Sequence, residues 1–507
     1  MRYRRVVQTT DKAIARGALV NVLGSVGKIL VPVNFIVLTR LYGPENAGLF
    51  YLVFSILAVA ASLTVSGITE GLIMFLSRDI DDTAKQENLY RVLANGVVFC
   101  SVMAVVVVIF CLLGGMEAIS SKYSRAGVTE AVRLLVWSLP VLFIPMLVTA
   151  ATKSLMIMKW DAILLGFLQP ITMMIFSVSF YFISPELPSM LWGYLLSNVV
   201  VTVASLYVFG MYFSYGKLFR HLREFRPFVP LITFAVPQNL NITFSTFVNN
   251  VDIFLLGYFG FAPEKIAFYG FGTQIVRNIR QVKLAFSYAF APVIARLHAQ
   301  GNHQEMNRSF SMISRWTSTI GFPLALIVAV YRNELILLFH PSFTDDTMFM
   351  LVLLVPPLIS LTIGLSANIL VMTGHSGWNM VNSVSATFLI TGMNYYLIQE
   401  HGLIGAATGT ACGTLFVTLW ILVEIKLLEK VQLILREIYK PYVAILPPIL
   451  LMVFTSYAGW TDAPLSKAAL MVAALVVYLG MVWGLGLEEE DKKVFFRGRA
   501  RSQTPDV

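Results

Sequence analysis

Charge is scarce in this 507-residue chain: 13% of residues are Asp, Glu, Lys or Arg, against roughly 25% in a soluble domain. That excludes an ordinary soluble enzyme and a charge-rich disordered chain. Cysteine is scarcer still. Cys100, Cys111 and Cys412 all lie inside apolar bands and none forms a CxxC pair, so neither a disulfide framework nor a zinc site is expected. No Walker A loop, nucleophile elbow, paired-carboxylate motif or metal-ligand cluster occurs, which removes the common hydrolase and nucleotide-driven classes. The first apolar band is too long for a signal-peptide core and no A-x-A-like cleavage site follows it, so it is expected to remain as a membrane helix.

Hydrophobic residues make up 57% of the chain, in recurring bands of roughly 20, each long enough to cross a bilayer. The fold class expected is an all-α polytopic membrane protein. About fourteen transmembrane helices are read as spans 1 to 14: 17–41, 47–76, 90–114, 132–153, 162–183, 189–213, 229–258, 266–294, 316–338, 347–373, 376–398, 403–425, 441–460 and 465–487. Lys and Arg set their orientation. The two termini and the loops on their side carry 26 of them, and the opposite loops carry six (Lys122, Arg125, Arg133, Lys265, Arg332 and Lys467). By the positive-inside rule both ends lie in the cytoplasm. The net charge of +9 is then mostly a topology signal, with some attraction to anionic lipid. No basic run sits beside exposed aromatics, so nucleic acid is not a partner.

An internal repeat runs at an offset of 217. Leu41-Tyr42-Gly43-Pro44-Glu45 closes span 1, and Tyr258-Phe259-Gly260 followed by Pro263-Glu264 closes span 7. Gly43 and Gly260, Arg91 and Arg308, Pro140 and Pro357, and Ala150 and Ala367 all differ by 217. Six spans separate equivalent positions, an even number, so the halves insert in the same sense, as in several transporter folds. The expected organisation is an N-terminal lobe at 1–213 (spans 1–6) and a C-terminal lobe at 214–430 (spans 7–12). An appended pair of helices at 431–487 and a solvated cytoplasmic tail at 488–507 complete the chain. Two lobes suit alternating access around a site between them; the other reading is a duplication that records ancestry only.

Charges inside the bands are the candidate site. A charged residue at the bilayer centre costs roughly 2.5–3.5 kcal/mol on insertion scales, so it faces a wet cavity or a partner. Lys28 and Arg40 lie in span 1, Glu70 in span 2, Asp252 in span 7, and Arg277, Arg280 and Lys283 in span 8. At a rise of about 1.5 Å per residue, Lys28 and Arg277 both lie about 16 Å from the start of their spans, near the midplane. Asn21, Gly24, Ser25 and Lys28 form a polar stripe at helical spacing. Lys28, Arg277 and Arg280, with Lys283 toward the cytoplasmic mouth, are therefore expected to hold an anion. Arg grips phosphate with a planar fork and Lys with a point charge, which suits a lipid diphosphate. The bland alternative is that Glu70 and Asp252 simply neutralise these cations; the two acids are alternatively coupling sites for H+ or Na+. Arg40, at a helix end, can snorkel to the interface.

Asn21, Gln238, Asn239, Asn249 and Asn250, with Asn241, either face a glycan or bond between helices. Gly405, Gly409 and Gly413 have the spacing of close helix packing. His340 and His375 lie near loops without ligand spacing and are expected at the surface.

The stretches Leu38–Leu49 (LTRLYGPENAGL), Asp252–Gly260 (DIFLLGYFG), Pro292–Gly301 (PVIARLHAQG), Arg315-Trp316 followed by Pro323, and Gly402–Ala407 (GLIGAA) are together similar to the Wzx-type polysaccharide and O-antigen flippases. These form the polysaccharide-transport branch of the multidrug/oligosaccharidyl-lipid/polysaccharide exporter superfamily, and the resemblance runs from about residue 12 to 430. It implies fourteen helices in two lobes, a cationic central cavity whose diphosphate-holding positions match Lys28, Arg277 and Arg280, and no enzymatic activity. It further implies that an undecaprenyl-diphosphate-linked oligosaccharide is flipped from the cytoplasmic to the outer leaflet of a bacterial inner membrane. The product would be a surface polysaccharide such as an O-antigen lipopolysaccharide or an exopolysaccharide. A monomer is expected, with no cofactor beyond a coupling ion, and with a polysaccharide polymerase and chain-length proteins as partners. The rivals are a peptidoglycan-precursor flippase, a multidrug exporter of the same superfamily, a major-facilitator sugar permease and a membrane glycan polymerase or ligase. A cationic drug needs acids where this chain has cations. A polymerase needs a large outer loop, and the longest here is about residues 115–131.

Overall fold

A computed structural model describes residues 30–79, 86–111, 113, 128–155, 157–460 and 463–485. Among the described residues there is no strand. The helices, in chain order, are α1 Leu30–Asp79, α2 Gln86–Phe110, α3 Val128–Val136, α4 Leu139–Ser154, α5 Lys159–Tyr181, α6 Leu187–Tyr212, α7 Tyr215–Arg223, α8 Val229–Val248 and α9 Val251–Tyr258. They continue as α10 Pro263–Arg277, α11 Arg280–Ala299, α12 His303–Val330, α13 Arg332–Leu337, α14 Met348–Ile363, α15 Ser366–Met372, α16 Ser376–Glu429, α17 Leu435–Tyr457 and α18 Pro464–Gly484.

Eight helices among the described residues are long and apolar enough to cross a membrane, or up to ten if each of two bent pairs is one span. Two of the eight are of double length. α1 bends at Gly43 (φ 82°, ψ 163°) and α16 at Gly402 (φ 56°, ψ −129°), so α1 contains the described end of span 1 together with span 2, and α16 contains spans 11 and 12. Glycine enters the left-handed region without a Cβ penalty, and Pro44 after Gly43 withholds an N–H, which together turn the chain. Other expected spans are divided. Span 7 separates into α8 and α9 at Asn249-Asn250, and span 8 into α10 and α11 at Asn278-Ile279. Spans 4 and 10 are bent pairs, α3–α4 at 45° and α14–α15 at 47°. α5 contains a π-helical stretch at Ala162–Leu168, just before Pro170. A proline cannot donate to the ladder, and the wide turn accommodates that loss.

The chain forms two compact units. The first falls within Met1–Gly272, Ile336–Asp345 and Ser383–Thr410, the second within Thr273–Leu335, Asp346–Asn382 and Ala411–Val507. In the first, Ile68 and Leu72 of α1, Leu93 of α2, Val148 of α4, Val201 of α6 and Leu231 of α8 meet in a buried apolar core. In the second, Phe290 and Ile294 of α11 pack with Met306 and Phe310 of α12, Ile369 of α15 and Ile425 of α16. Lipid is as apolar as leucine, so such helices associate through close packing and interhelical hydrogen bonds rather than water exclusion. The glycines show this directly. A Cβ on Gly48 would lie 1.8 Å from the Pro263 carbonyl oxygen, one on Gly67 would lie 2.2 Å from the Ala235 oxygen, and one on Gly405 would lie 1.9 Å from the Leu397 oxygen.

The 217-residue offset recurs in local geometry. Gly43 and Gly260 both have positive φ, 82° and 74°. Ser177 of α5 lies against Gly193 of α6, and Asn394, 217 residues after Ser177, lies against Gly409, one position short of the offset from Gly193. Tyr90, near the start of α2, accepts a hydrogen bond from the Ser214 N–H after α6 (3.0 Å). Asn307, at position 90 plus 217, accepts one from the Gln432 N–H after α16 (2.9 Å), one position past the offset from Ser214. In the second unit the C-terminal helices pack on α12: the Tyr478 hydroxyl donates to the Thr319 carbonyl (3.0 Å), and Tyr442 meets Phe322 edge-on at 4.8 Å between ring centres.

Candidate functional site

α10 opens with Pro263-Glu264 and ends at Arg277, placing an acid at the start and a cation at the end, where the helix dipole favours each. The backbone then tightens. Ile279 N–H bonds the Val276 oxygen (3.2 Å), Gln281 N–H the Asn278 oxygen (3.0 Å) and Val282 N–H the Ile279 oxygen (3.2 Å), all i to i−3 steps. α11 begins at Arg280. The sequence places Arg277 and Arg280 on one continuous helical face; the structure instead sets them on either side of a break, one closing a helix and one opening the next. Both are half-buried.

Lys283 follows one turn into α11. Its Nζ donates to Ser360 Oγ of α14 at 3.0 Å, and a Cβ on Gly364 would come within 3.0 Å of its Cδ. Gly364 lies between α14 and α15, so the lysine stem passes where that second helix pair bends. A broken cationic helix and a bent helix pair thus meet at one ammonium. Three cations within seven residues, on backbone that departs from regular helix, give multidentate donors suited to an anion with several oxygens. Lys28 and Asn21, the other expected members, lie outside the described residues.

The acids belong to the first unit. Asp252 is fully buried in the first turn of α9, with Oδ1 accepting from the Ile253 N–H (2.9 Å) and Oδ2 from the Tyr269 hydroxyl (3.0 Å). The N-terminal end of the α9 dipole also favours its carboxylate. Glu70 is exposed on α1 and accepts from Gln238 Nε2 of α8. Asn239 is buried next to it. Its Oδ1 accepts from the Gly67 N–H, and its Nδ2 donates to the Leu63 carbonyl (3.3 Å), so one amide bridges a helical i to i+4 step of α1. Ser62 and Thr243 extend this seam at 3.2 Å. Asn249 and Asn250 donate to the carbonyls of Ser245 and Thr246 on their own helix, both at 2.8 Å. Arg40 donates from Nε to the Leu338 carbonyl (2.8 Å), just past the end of α13. His340 bonds Ser342 Oγ (2.7 Å).

Two buried carboxylates escape a reading of the sequence. Glu429 ends α16 with its side chain 4% exposed, Oε2 at 3.1 Å from His298 Nδ1 and Oε1 at 3.2 Å from His375 Nδ1. His375 is therefore a partner of a buried acid rather than a simple surface group. Glu424 accepts from Asn382 Nδ2 (2.5 Å) and from the Trp420 indole (2.9 Å). Both glutamates fall where the apolar pattern fades into a loop, so no periodicity marks them as interior. An amide network in the first unit was equally hidden: Asn34 donates to the Pro170 carbonyl (2.7 Å) and Gln169 to Asn198 (2.8 Å).

Comparison with solved structures gives the fold. The lipid II flippase MurJ in an inward closed conformation is 12% identical, with a TM-score of 0.70 over 95% of this chain and 99% of that one. An inward-facing multidrug resistance MATE family transporter of the MOP superfamily is 17% identical, with a TM-score of 0.64 over 80% of this chain and 96% of that one. A MOP superfamily transporter from Pyrococcus furiosus, described as having a binding pocket of reverse polarity, is 16% identical, with a TM-score of 0.57 over 84% and 98%. Curated protein sequences give no match. The chain is a multi-pass membrane protein with the fold of MOP-superfamily transporters. Residues 37–343 match the family described as "Polysaccharide biosynthesis protein", more than half of the chain, and the chain therefore belongs to that family.

Proposed function

We propose that this protein is a Wzx-type flippase. It moves an undecaprenyl-diphosphate-linked oligosaccharide from the cytoplasmic to the outer leaflet of a bacterial inner membrane, for export of a surface polysaccharide. The carrying observation is the concentration of Arg277, Arg280 and Lys283 around the α10–α11 break. Charge at bilayer depth is expensive unless it has a function or a partner, and the interrupted helices of transporters commonly mark binding sites. Membership of a polysaccharide biosynthesis family supports a glycan as the cargo.

In this reading Arg277 and Arg280 grip the diphosphate, joined by Lys28, while Lys283 draws it from the cytoplasmic mouth. The glycan crosses in a wet cavity, and the polyprenyl chain stays in lipid. Alternating access moves the headgroup with no bond made or broken. Glu70 and Asp252 are the candidate H+ or Na+ coupling acids. Asn249 and Asn250, with Asn21 and Gln238, are candidate glycan contacts. Asn239 is left out of that set because its amide is engaged in the α1–α8 seam.

A second reading, a peptidoglycan-precursor flippase, is favoured by one observation: the likeness to the lipid II flippase extends over 95% of the chain, against 80% for the multidrug transporter. The test reconstitutes the protein in vesicles and offers each lipid-linked substrate in turn. Wild type is expected to translocate the polysaccharide precursor in preference to lipid II, and Arg277→Ala with Arg280→Ala to lose this while inserting normally. Unaltered transport by the double variant would discard the site. A preference for lipid II would select the second reading.

A further inference from the structure

α6 is 26 residues long, about 39 Å at 1.5 Å per residue. That exceeds a hydrocarbon core of roughly 30 Å, so its end emerges at a bilayer surface. Immediately after it lies α7, YGKLFRHLR, a short basic amphipathic helix. One face of α7 is packed: Leu218 and Leu222 join the apolar core of the first unit, and His221 stacks on Tyr90 at 6.1 Å. The rest of the helix and the turn after it are largely exposed. Phe219 is 65% exposed and Phe225 42%, and Lys217, Arg220, Arg223 and Arg226 are exposed among them.

The segment is fixed there by main-chain bonds. Besides the Tyr90–Ser214 bond, Arg91 donates to the Pro227 carbonyl (2.8 Å). Asn95 donates to the Arg226 carbonyl (2.9 Å) and accepts from the Phe228 N–H (2.8 Å). The acid opposing this charge is Glu224, in an exposed pair with Arg220 at 3.5 Å, a geometry that holds a cation only weakly. Lys217 rests 5.5 Å over the Tyr90 ring.

We propose that α7 and its following turn form a docking surface for anionic phospholipid headgroups of the adjacent leaflet. Arg220, Arg223 and Lys217 meet the phosphates, and Phe219 inserts beside them among the acyl chains. A cationic face interleaved with a bare aromatic ring is the composition of an in-plane interfacial helix. A soluble acidic anion would satisfy the charges and leave the ring in water. The proposal does not depend on what the protein transports.

The test uses the full-length protein in detergent micelles, with dioleoyl-phosphatidylglycerol or dioleoyl-phosphatidylcholine as probe and lipid retention read by native mass spectrometry. Wild type is expected to retain phosphatidylglycerol preferentially. Lys217→Gln with Arg220→Gln and Arg223→Gln should lower that preference about tenfold, with the melting temperature in phosphatidylcholine unchanged because the anchoring main-chain bonds remain. Phe219→Ser, which keeps every charge, should lower it about threefold. Full preference retained by the triple variant overturns the proposal. So does full displacement of the lipid by inorganic pyrophosphate combined with an indifferent Phe219→Ser, since that outcome assigns the surface to a soluble anion. Should the triple variant not fold, the Phe219→Ser and pyrophosphate arms decide alone.

Discussion

Span 2 and span 8 are equivalent under the 217-residue offset, and they are built differently. Subtracting 217 from Arg277, Arg280 and Lys283 gives Ala60, Leu63 and Ser66, in a stretch where α1 runs as unbroken helix. The later copy is interrupted and cationic; the earlier one is continuous and is held by an amide seam to α8. Glycines of positive φ, Gly43 and Gly260, stand 217 residues apart at both junctions, while the spans that follow them differ: one carries the candidate site cations and the other is closely packed. The difference teaches that a turn restricts its residues through backbone geometry, whereas a span interior accepts either cations or close packing.

Substitutions at offset-related and neighbouring positions should break or sharpen this correspondence in graded ways. Gly48 and Lys265 are equivalent at the offset; a Cβ on Gly48 would meet the Pro263 carbonyl, whereas Lys265 is exposed. Gly48→Val should cost on the order of 4–5 kcal/mol, the size that marks severe backbone or packing conflict, and leave little monodisperse protein in a size-exclusion assay. Lys265→Gly should cost only about 1 kcal/mol. Next comes Asn239→Leu, which removes the amide bridging Leu63 and Gly67. It should lower stability by about 1–3 kcal/mol, the penalty for stranding buried polar groups, measurable as a fall in melting temperature. Smaller again are Gly43→Ala and Gly260→Ala, each about 1–2 kcal/mol, the cost of a left-handed residue with a Cβ. Both glycines have open space around them, so equal losses would sharpen the equivalence of the two junctions and unequal ones would break it. The smallest expected effect is Ser360→Ala, about 1 kcal/mol or less for one hydroxyl. Its fuller consequence should be altered substrate affinity, because Lys283 would lose a fixed partner.

Much of this was legible in the sequence. Apolar bands marked the spans, and Gly43 with Pro44 and Gly260 with Pro263 marked the turns, because glycine and proline act on the backbone directly. The candidate cations were legible as well, since charge inside an apolar band is conspicuous. Their geometry was not. The break at Asn278-Ile279 contains neither glycine nor proline, so helical periodicity reads straight through it. The bridging role of Asn239 was hidden for a related reason: an asparagine in a span gives no sign of which neighbouring helix it will meet. The His298–Glu429–His375 contact joins the ends of separate elements, whose proximity depends on tertiary packing.

The most direct test of the cationic break is a binding measurement on purified protein with polyprenyl diphosphate and polyprenyl monophosphate of equal chain length. If Arg277 and Arg280 form a diphosphate grip, wild type binds the diphosphate at least tenfold more tightly, and Arg277→Gln with Arg280→Gln erases that difference while leaving monophosphate binding nearly unchanged. Equal affinity of wild type for the two lipids, or a preference that survives in the double variant, would contradict it.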